Sequence, residues 1–146
     1  MTETTTPPAP APAPAPPKTF ESRHEGTFHG TTVAYRAIAG ELHLPDAKGE
    51  PRASVFSFSY LSDAAAAETR PVTFIFNGGP GSASLWLHMG ALGPRRIVMP
   101  ADAVPAGVSP YTVTDNALCN LDRSDLVFID PPGTLAFSRQ LIPSSG

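Results

Sequence analysis

The residues with the clearest chemical potential are Asn77-Gly78-Gly79-Pro80-Gly81. Three glycines and a proline in five residues cannot continue a strand or a helix. They leave backbone N–H groups uncovered by side chains. The following run reads as a helix, with Leu85, Trp86, Met89 and Leu92 at i, i+1, i+4 and i+7 and a stop at Gly93-Pro94. Bare N–H groups beside a helix N-terminus are a ready site for negative charge. Asn77 adds an amide that can donate to a carboxylate. It equally tolerates turn geometry and hydrogen-bonds its own backbone.

Few other residues compete for a role. His24, His29 and His43 precede the glycine run and His88 follows it. His24, His29 and Glu25 are conceivable metal ligands, but isolated surface histidines are the better reading, and no metal or cofactor is expected. The single cysteine, Cys119, excludes an internal disulfide and a cysteine-based metal site and reads as a small buried hydrophobe. Asp130 closes an apolar run and reads as a structural hydrogen-bonding residue.

These residues need elements to hold them. Residues 72–76 before the glycines, Val-Thr-Phe-Ile-Phe, have strand length and strand composition. Residues 31–44 alternate as a strand, with Gly40 a candidate bulge. Residues 45–51 read as a turn and residues 52–61 as the clearest alternating strand, Phe56, Phe58 and Tyr60 on one face. The two form an antiparallel hairpin. Residues 62–70 make a polar, alanine-rich connection with one helical turn over 64–67. Residues 95–99 read as a short strand, 100–110 with three prolines as a surface loop, and 111–121 as ambiguous. Residues 125–130, DLVFID, read as a buried strand ended by Pro131-Pro132-Gly133. An antiparallel start leading into a mostly parallel β-α-β core predicts the α/β class.

The first 19 residues stand apart. Seven of the 18 prolines fall there, alternating with alanine. Such a tract favours an extended polyproline II spacer and reads as a disordered tail, leaving 20–146 as one domain. It lacks the basic and apolar regions of a signal peptide, so the default location is cytoplasmic. The net charge is -3, and only Arg95-Arg96 are adjacent among the basic residues. That pattern gives nucleic-acid binding no support. No apolar run approaches membrane-spanning length. Oligomeric state is left open.

NGGPG, then Ser84-Leu85 and Leu92-Gly93-Pro94, is similar to the signature of the serine carboxypeptidases, with RPVTFIFNGGPG and LHMGALGPRR closest to the bacterial branch. LVFIDPPGT with Phe137-Ser138 resembles that family's second block, Asp-x-Pro-x-Gly-x-Gly-Phe-Ser. The resemblance covers residues 31–134. It implies the N-terminal portion of an α/β-hydrolase fold, with the third strand leading into an oxyanion loop. It implies removal of a C-terminal residue from a peptide substrate through an acyl-enzyme, without metal. Gly79 would donate its backbone N–H to the oxyanion. Asn77 and Gly78 would help hold the substrate's carboxylate.

The departures are specific. Ala91 stands where the family has a proton-sharing glutamate, and Ser82 where familiar members have cysteine. The second block departs after Thr134, which suits a frameshift or truncated reading frame; DNA beyond codon 134 tests that. No Gly-x-Ser-x-Gly elbow occurs in the sequence, and no histidine holds a triad position. The chain alone is therefore expected to be inactive. The alternatives are a non-catalytic interaction module with a proline-rich tail, or an esterase-type hydrolase.

Overall fold

The computed structural model describes residues 15–64, 69–78, 81–99, 110–134 and 138–141. Its frame is a meander of three long strands: β1 (Thr19–Phe28), β2 (Thr31–Pro45) and β3 (Pro51–Ser62). The β1–β2 turn is His29-Gly30, with φ of 47° and 83°. Two left-handed residues make a primed turn, whose twist matches that of the strands it joins. The β2–β3 turn is built on Asp46. Its carboxylate accepts the Lys48 and Glu50 N–H groups at 2.8 and 3.1 Å.

Beyond the meander, β4 (Val72–Ile75) leads to a helical segment. α1 (Leu85–Leu87) makes one turn and widens into a π-helix over His88–Leu92. β5 (Arg95–Ile97) pairs antiparallel with β6 (Val113–Asp115) as a separate ribbon. A 3-10 turn (Asn120–Asp122) precedes β7 (Asp125–Asp130), and β8 (Arg139–Gln140) pairs with the far end of β3. The main sheet runs β1-β2-β3-β7-β4, with β8 off that path. β7 is antiparallel to β3 and parallel to β4.

One face of this sheet carries the core. Val33, Tyr35, Ile75, Leu126 and Phe128 are buried with Phe28, Cys119 and Leu121, and Phe58, Tyr60 and Leu87 pack against them. Alternation explains the choice: Phe58 and Tyr60 stand opposite Phe128 and Leu126 in register, so all four share a face.

The expected α/β-hydrolase portion is not what forms. The described residues are mostly β, with 50% strand and 11% helix, in a mixed sheet whose parallel part, among them, is the β4–β7 pair. The segment after the loop is helical over Leu85–Leu92, where the sequence placed a helix, and stops at Gly93, but it is one α turn widened into a π-helix. Leu85, Trp86 and Leu92, which set its apolar period, are exposed, and the segment's one buried side chain is His88. Leu87 and His88 are what it turns to the core, less than the helical layer that an α/β sheet needs. At its end the Gly93 N–H bonds back to the His88 carbonyl at 2.9 Å, the π closure. A Cβ at Gly93 would lie 2.5 Å from that same oxygen, so this closure requires glycine.

Smaller readings also changed. The register is unbroken at Gly40; the irregularity falls between Leu44 and Pro45, where Pro45 faces Pro51 and neither can donate. Gly40 instead admits Thr19, whose Oγ1 would lie 3.0 Å from an added Cβ. The ambiguous residues 111–121 supply β6 and the start of the 3-10 turn. Residues 1–14 of the expected tail, most of the expected turn over 64–67, and all but the last residue of the 100–110 loop lie outside the described residues. Thr19, read as the end of the tail, begins β1.

Candidate functional site

The candidate site starts where β4 ends. β4 and β7 run parallel, so the loop after Ile75 and the acidic end of β7 emerge on the same side. Asp130 is 5% exposed, and its Oδ1 accepts the Ser84 N–H at 2.8 Å. The Ser84 hydroxyl donates to the Ile129 carbonyl. Ser84 sits at the cap position of α1, but its hydroxyl is directed to β7 rather than to the helix. Two bonds from one buried serine therefore fix the helical segment to the strand beside it. Asp130 acts as a structural acceptor, in line with its sequence reading.

Asn77 is half-buried, and its Nδ2 donates to Ser82 Oγ at 3.2 Å across the loop. The amide that could clamp a carboxylate thus closes its own turn. Gly78 is exposed, with nothing within 4 Å of an added Cβ. Gly79, the proposed oxyanion donor, lies outside the described residues, as does Pro80. Gly81 returns with φ of 86°, a left-handed position. The loop brings Asn77 and Ser82 together, with Gly78 open beside them.

The second block forms its own knot. Thr134 Oγ1 donates to the Pro131 carbonyl at 2.6 Å, and Gly133, at φ 87°, donates its N–H to the Ser138 carbonyl at 3.1 Å. Ser138 Oγ donates to the Asp130 carbonyl at 2.6 Å and accepts the Phe56 N–H at 2.9 Å. The same Asp130 thus supports both blocks, its side chain holding Ser84 and its carbonyl holding Ser138.

No histidine reaches the loop as a base. His88 is 5% exposed, with ring centroids 4.6 Å from Phe128 and 4.7 Å from Phe58. Burial pushes its pKa down to about 4, so the ring is neutral at pH 7. Burial likewise raises the Tyr60 phenol, which therefore keeps its proton, and its hydroxyl is hydrogen-bonded to His88 Nε2 at 2.5 Å. His29 Nδ1 pairs with Asp122 at 3.1 Å, tying the β1–β2 turn to the 3-10 turn. His24 bonds Ser22 Oγ at 2.8 Å and stacks on Tyr35. His43 lies 3.9 Å from Glu41. Among the described residues, no three His, Cys, Asp or Glu side chains are grouped to hold a metal ion. Cys119 is buried, and burial pushes its thiol up to about 11, which keeps it protonated and unreactive.

Three supports escaped the sequence reading. Asn116 Nδ2 donates to the Ala91 and Gly93 carbonyls at 2.8 and 2.9 Å, fixing the far end of the helical segment. Arg70 Nε meets Asp125 Oδ1 at 2.7 Å, and its Nη2 donates to the Leu121 carbonyl. Tyr60–His88 is the third. Each joins residues more than 20 positions apart, and no local motif marks such a pair. No family model matches the chain, and no curated protein does.

Proposed function

We propose that this chain carries the oxyanion-side loop of a serine-type carboxypeptidase, with peptide as substrate. Gly79 would be the backbone N–H donor, and Asn77 and Gly78 the groups that meet the substrate's terminal carboxylate. One observation carries the reading: the glycine loop leaves the carboxyl end of β4 beside the carboxyl end of β7, and Ser84 locks its helical side onto Asp130 and Ile129. Donors that stabilise developing charge must be held before the reaction begins, and Ser84, at the helical side of the loop, is anchored in that way. The Asn77–Ser82 bond works against direct clamping by the amide; binding a carboxylate requires exchanging that bond for the ligand. The sequence offers no Gly-x-Ser-x-Gly nucleophile elbow, so binding without turnover is the expected behaviour.

A second reading, a non-catalytic interaction module, is favoured by the uncharged and exposed Val72, Phe74 and Phe76 at the β4 edge. Trp86, the one tryptophan, is 73% exposed and follows the loop closely, so its fluorescence reports on the site. Titration with a blocked dipeptide should give a saturable change with the free acid. The change should be about tenfold weaker with the amide, a difference of ~1.4 kcal/mol, and weaker again in Asn77→Ala. Identical curves for acid and amide would favour the interaction module. Hydrolysis abolished by a serine-directed inhibitor would overturn the expectation of no turnover.

A further inference from the structure

A trough crosses the first three strands on the core side of the sheet, and His88 of the helical segment packs on Phe58 and Tyr60 at its inner wall. The registers set its shape. Phe20, Ala39 and Phe58 form one row across β1, β2 and β3, and Ser22, Ala37 and Tyr60 form the next. Alanines lie in the middle of both rows, with larger side chains on either side. Two strand spacings put the walls about 10 Å apart. The trough encloses about 290 Å³, and Phe20 on its outer wall is 67% exposed. Tyr35 lies in the next row, stacked on His24 and edge-on to Tyr60 at 6.0 Å. The opposite end opens where the chain enters β1, at the bond from the Glu41 N–H to the Lys18 carbonyl.

An aromatic-walled trough with a small-residue floor suits the ridges of a polyproline II helix, which presents apolar rings and needs no partner for its backbone. The same chain supplies such a segment, PPAPAPAPAPP, immediately before β1. We propose that this trough binds a polyproline II segment, and that its occupant is the residue 7–17 tract of a second copy of this chain.

The connection decides against the chain's own tract. To lie in its own trough, the tract would have to reverse within residues 15–17. Pro16 and Pro17 fix their φ, and each proline keeps the residue before it extended. The eleven residues from 7 to 17 span about 34 Å as polyproline II. The two rows of the trough cover only about 7 Å along the strands. The remainder is long enough to cross between molecules. Reciprocal exchange across a twofold axis closes the assembly, and two weak dockings then act together.

The test uses the full chain with photoreactive benzoylphenylalanine in place of Phe20. Unlabelled and 15N-labelled protein are mixed equally, irradiated and analysed by mass spectrometry. The expected result is cross-linking from position 20 to residues 7–17, with hybrid-label pairs making about half of the links, as random pairing of two equal pools requires. Sedimentation should show a dimer that dissociates on dilution. It should be lost both in Phe20→Ser and in a variant with Pro10, Pro12 and Pro14 changed to serine; the second alters no residue of the described fold. Links confined to one label would assign the tract to its own trough and overturn the exchange. Links only to an added free PPAPAPAPAPP peptide would make the occupant a foreign proline-rich partner. A dimer that persists in both variants, or a monomer throughout, would also overturn the proposal.

Discussion

The Nε2 atom of His88 lies 2.5 Å from the Tyr60 hydroxyl, between the rings of Phe58 and Phe128. The titratable groups around it are Tyr60 itself on β3, with Tyr35 on β2 and Cys119 before the 3-10 turn behind Tyr60; burial raises all three, and they stay uncharged near neutrality. Among the described residues, no charged group compensates an imidazolium there. The folded pKa, about 4, lies below the ordinary 6.5. Stability from the neutral ring is therefore fully present above pH 6.5 and is lost as pH falls from 6.5 through about 4. A shift of this size corresponds to roughly 3 kcal/mol. Denaturant midpoints measured between pH 7 and pH 4 should fall in the parent and fall much less in His88→Phe. Parallel slopes in the two proteins would show that His88 is not the group responsible. Because His88 is the buried residue of the helical segment, acid should loosen that segment first, and hydrogen exchange at residues 85–92 would report it.

Among the elements, β4 and β7 depend on a charge pair as well as on their ladder. Arg70, just before β4, and Asp125, the first residue of β7, are 9% and 10% exposed at their side chains and 2.7 Å apart. Asp125 also accepts the Ser62 N–H at 3.0 Å, so one carboxylate joins β3, β4 and β7. Arg70→Ala leaves that carboxylate buried without its cation, which should destabilise the fold by about 3–5 kcal/mol. Replacing both residues with apolar ones of similar size should recover much of the loss, measured by urea unfolding; an undiminished loss in the double variant would mean the pair itself is net stabilising. Elements of this kind divided sharply in how well the sequence announced them. β3 and β7 were legible because their apolar residues alternate or run unbroken. β1 was not, since TFESRHEGTF carries Glu21, Arg23 and Glu25 and shows no apolar period; it forms because it pairs along the whole of β2. The two residues His29-Gly30 were the available signal for that hairpin. Of the candidate site, the structural role of Asp130 was legible. The helical segment after the loop was legible in place and extent, but its packing was not, because Leu85, Trp86 and Leu92 have helical spacing yet face solvent. Asn116 and Arg70 could not be paired from sequence, because their partners are set by topology.

At the scale of the whole molecule, the two edges of the sheet have opposite chemistry. β1 is charged along its length and blunted against pairing, as open edges in natural sheets are. β4 at the other edge has no charged residue, and Val72, Phe74 and Phe76 are 47%, 62% and 61% exposed. Alternation places these three on one face of the strand, next to backbone groups that no described strand pairs. An uncharged apolar edge is a template for association with further polypeptide. The chain by itself should therefore have low solubility and should form sheet-rich aggregates on concentration. Phe74→Lys puts a charge at the centre of that edge without touching the core, which lies on the face of Ile75. It should raise the concentration at which light scattering begins by several-fold, while changing the unfolding midpoint by less than about 0.5 kcal/mol, as a surface substitution does. This association is distinct from the exchanged proline tract: Phe74→Lys should leave the position-20 cross-links intact, and Phe20→Ser should leave the aggregation threshold unchanged. A parent chain that stays a soluble monomer, with a single cooperative unfolding transition at high concentration, would show that the β4 edge is protected.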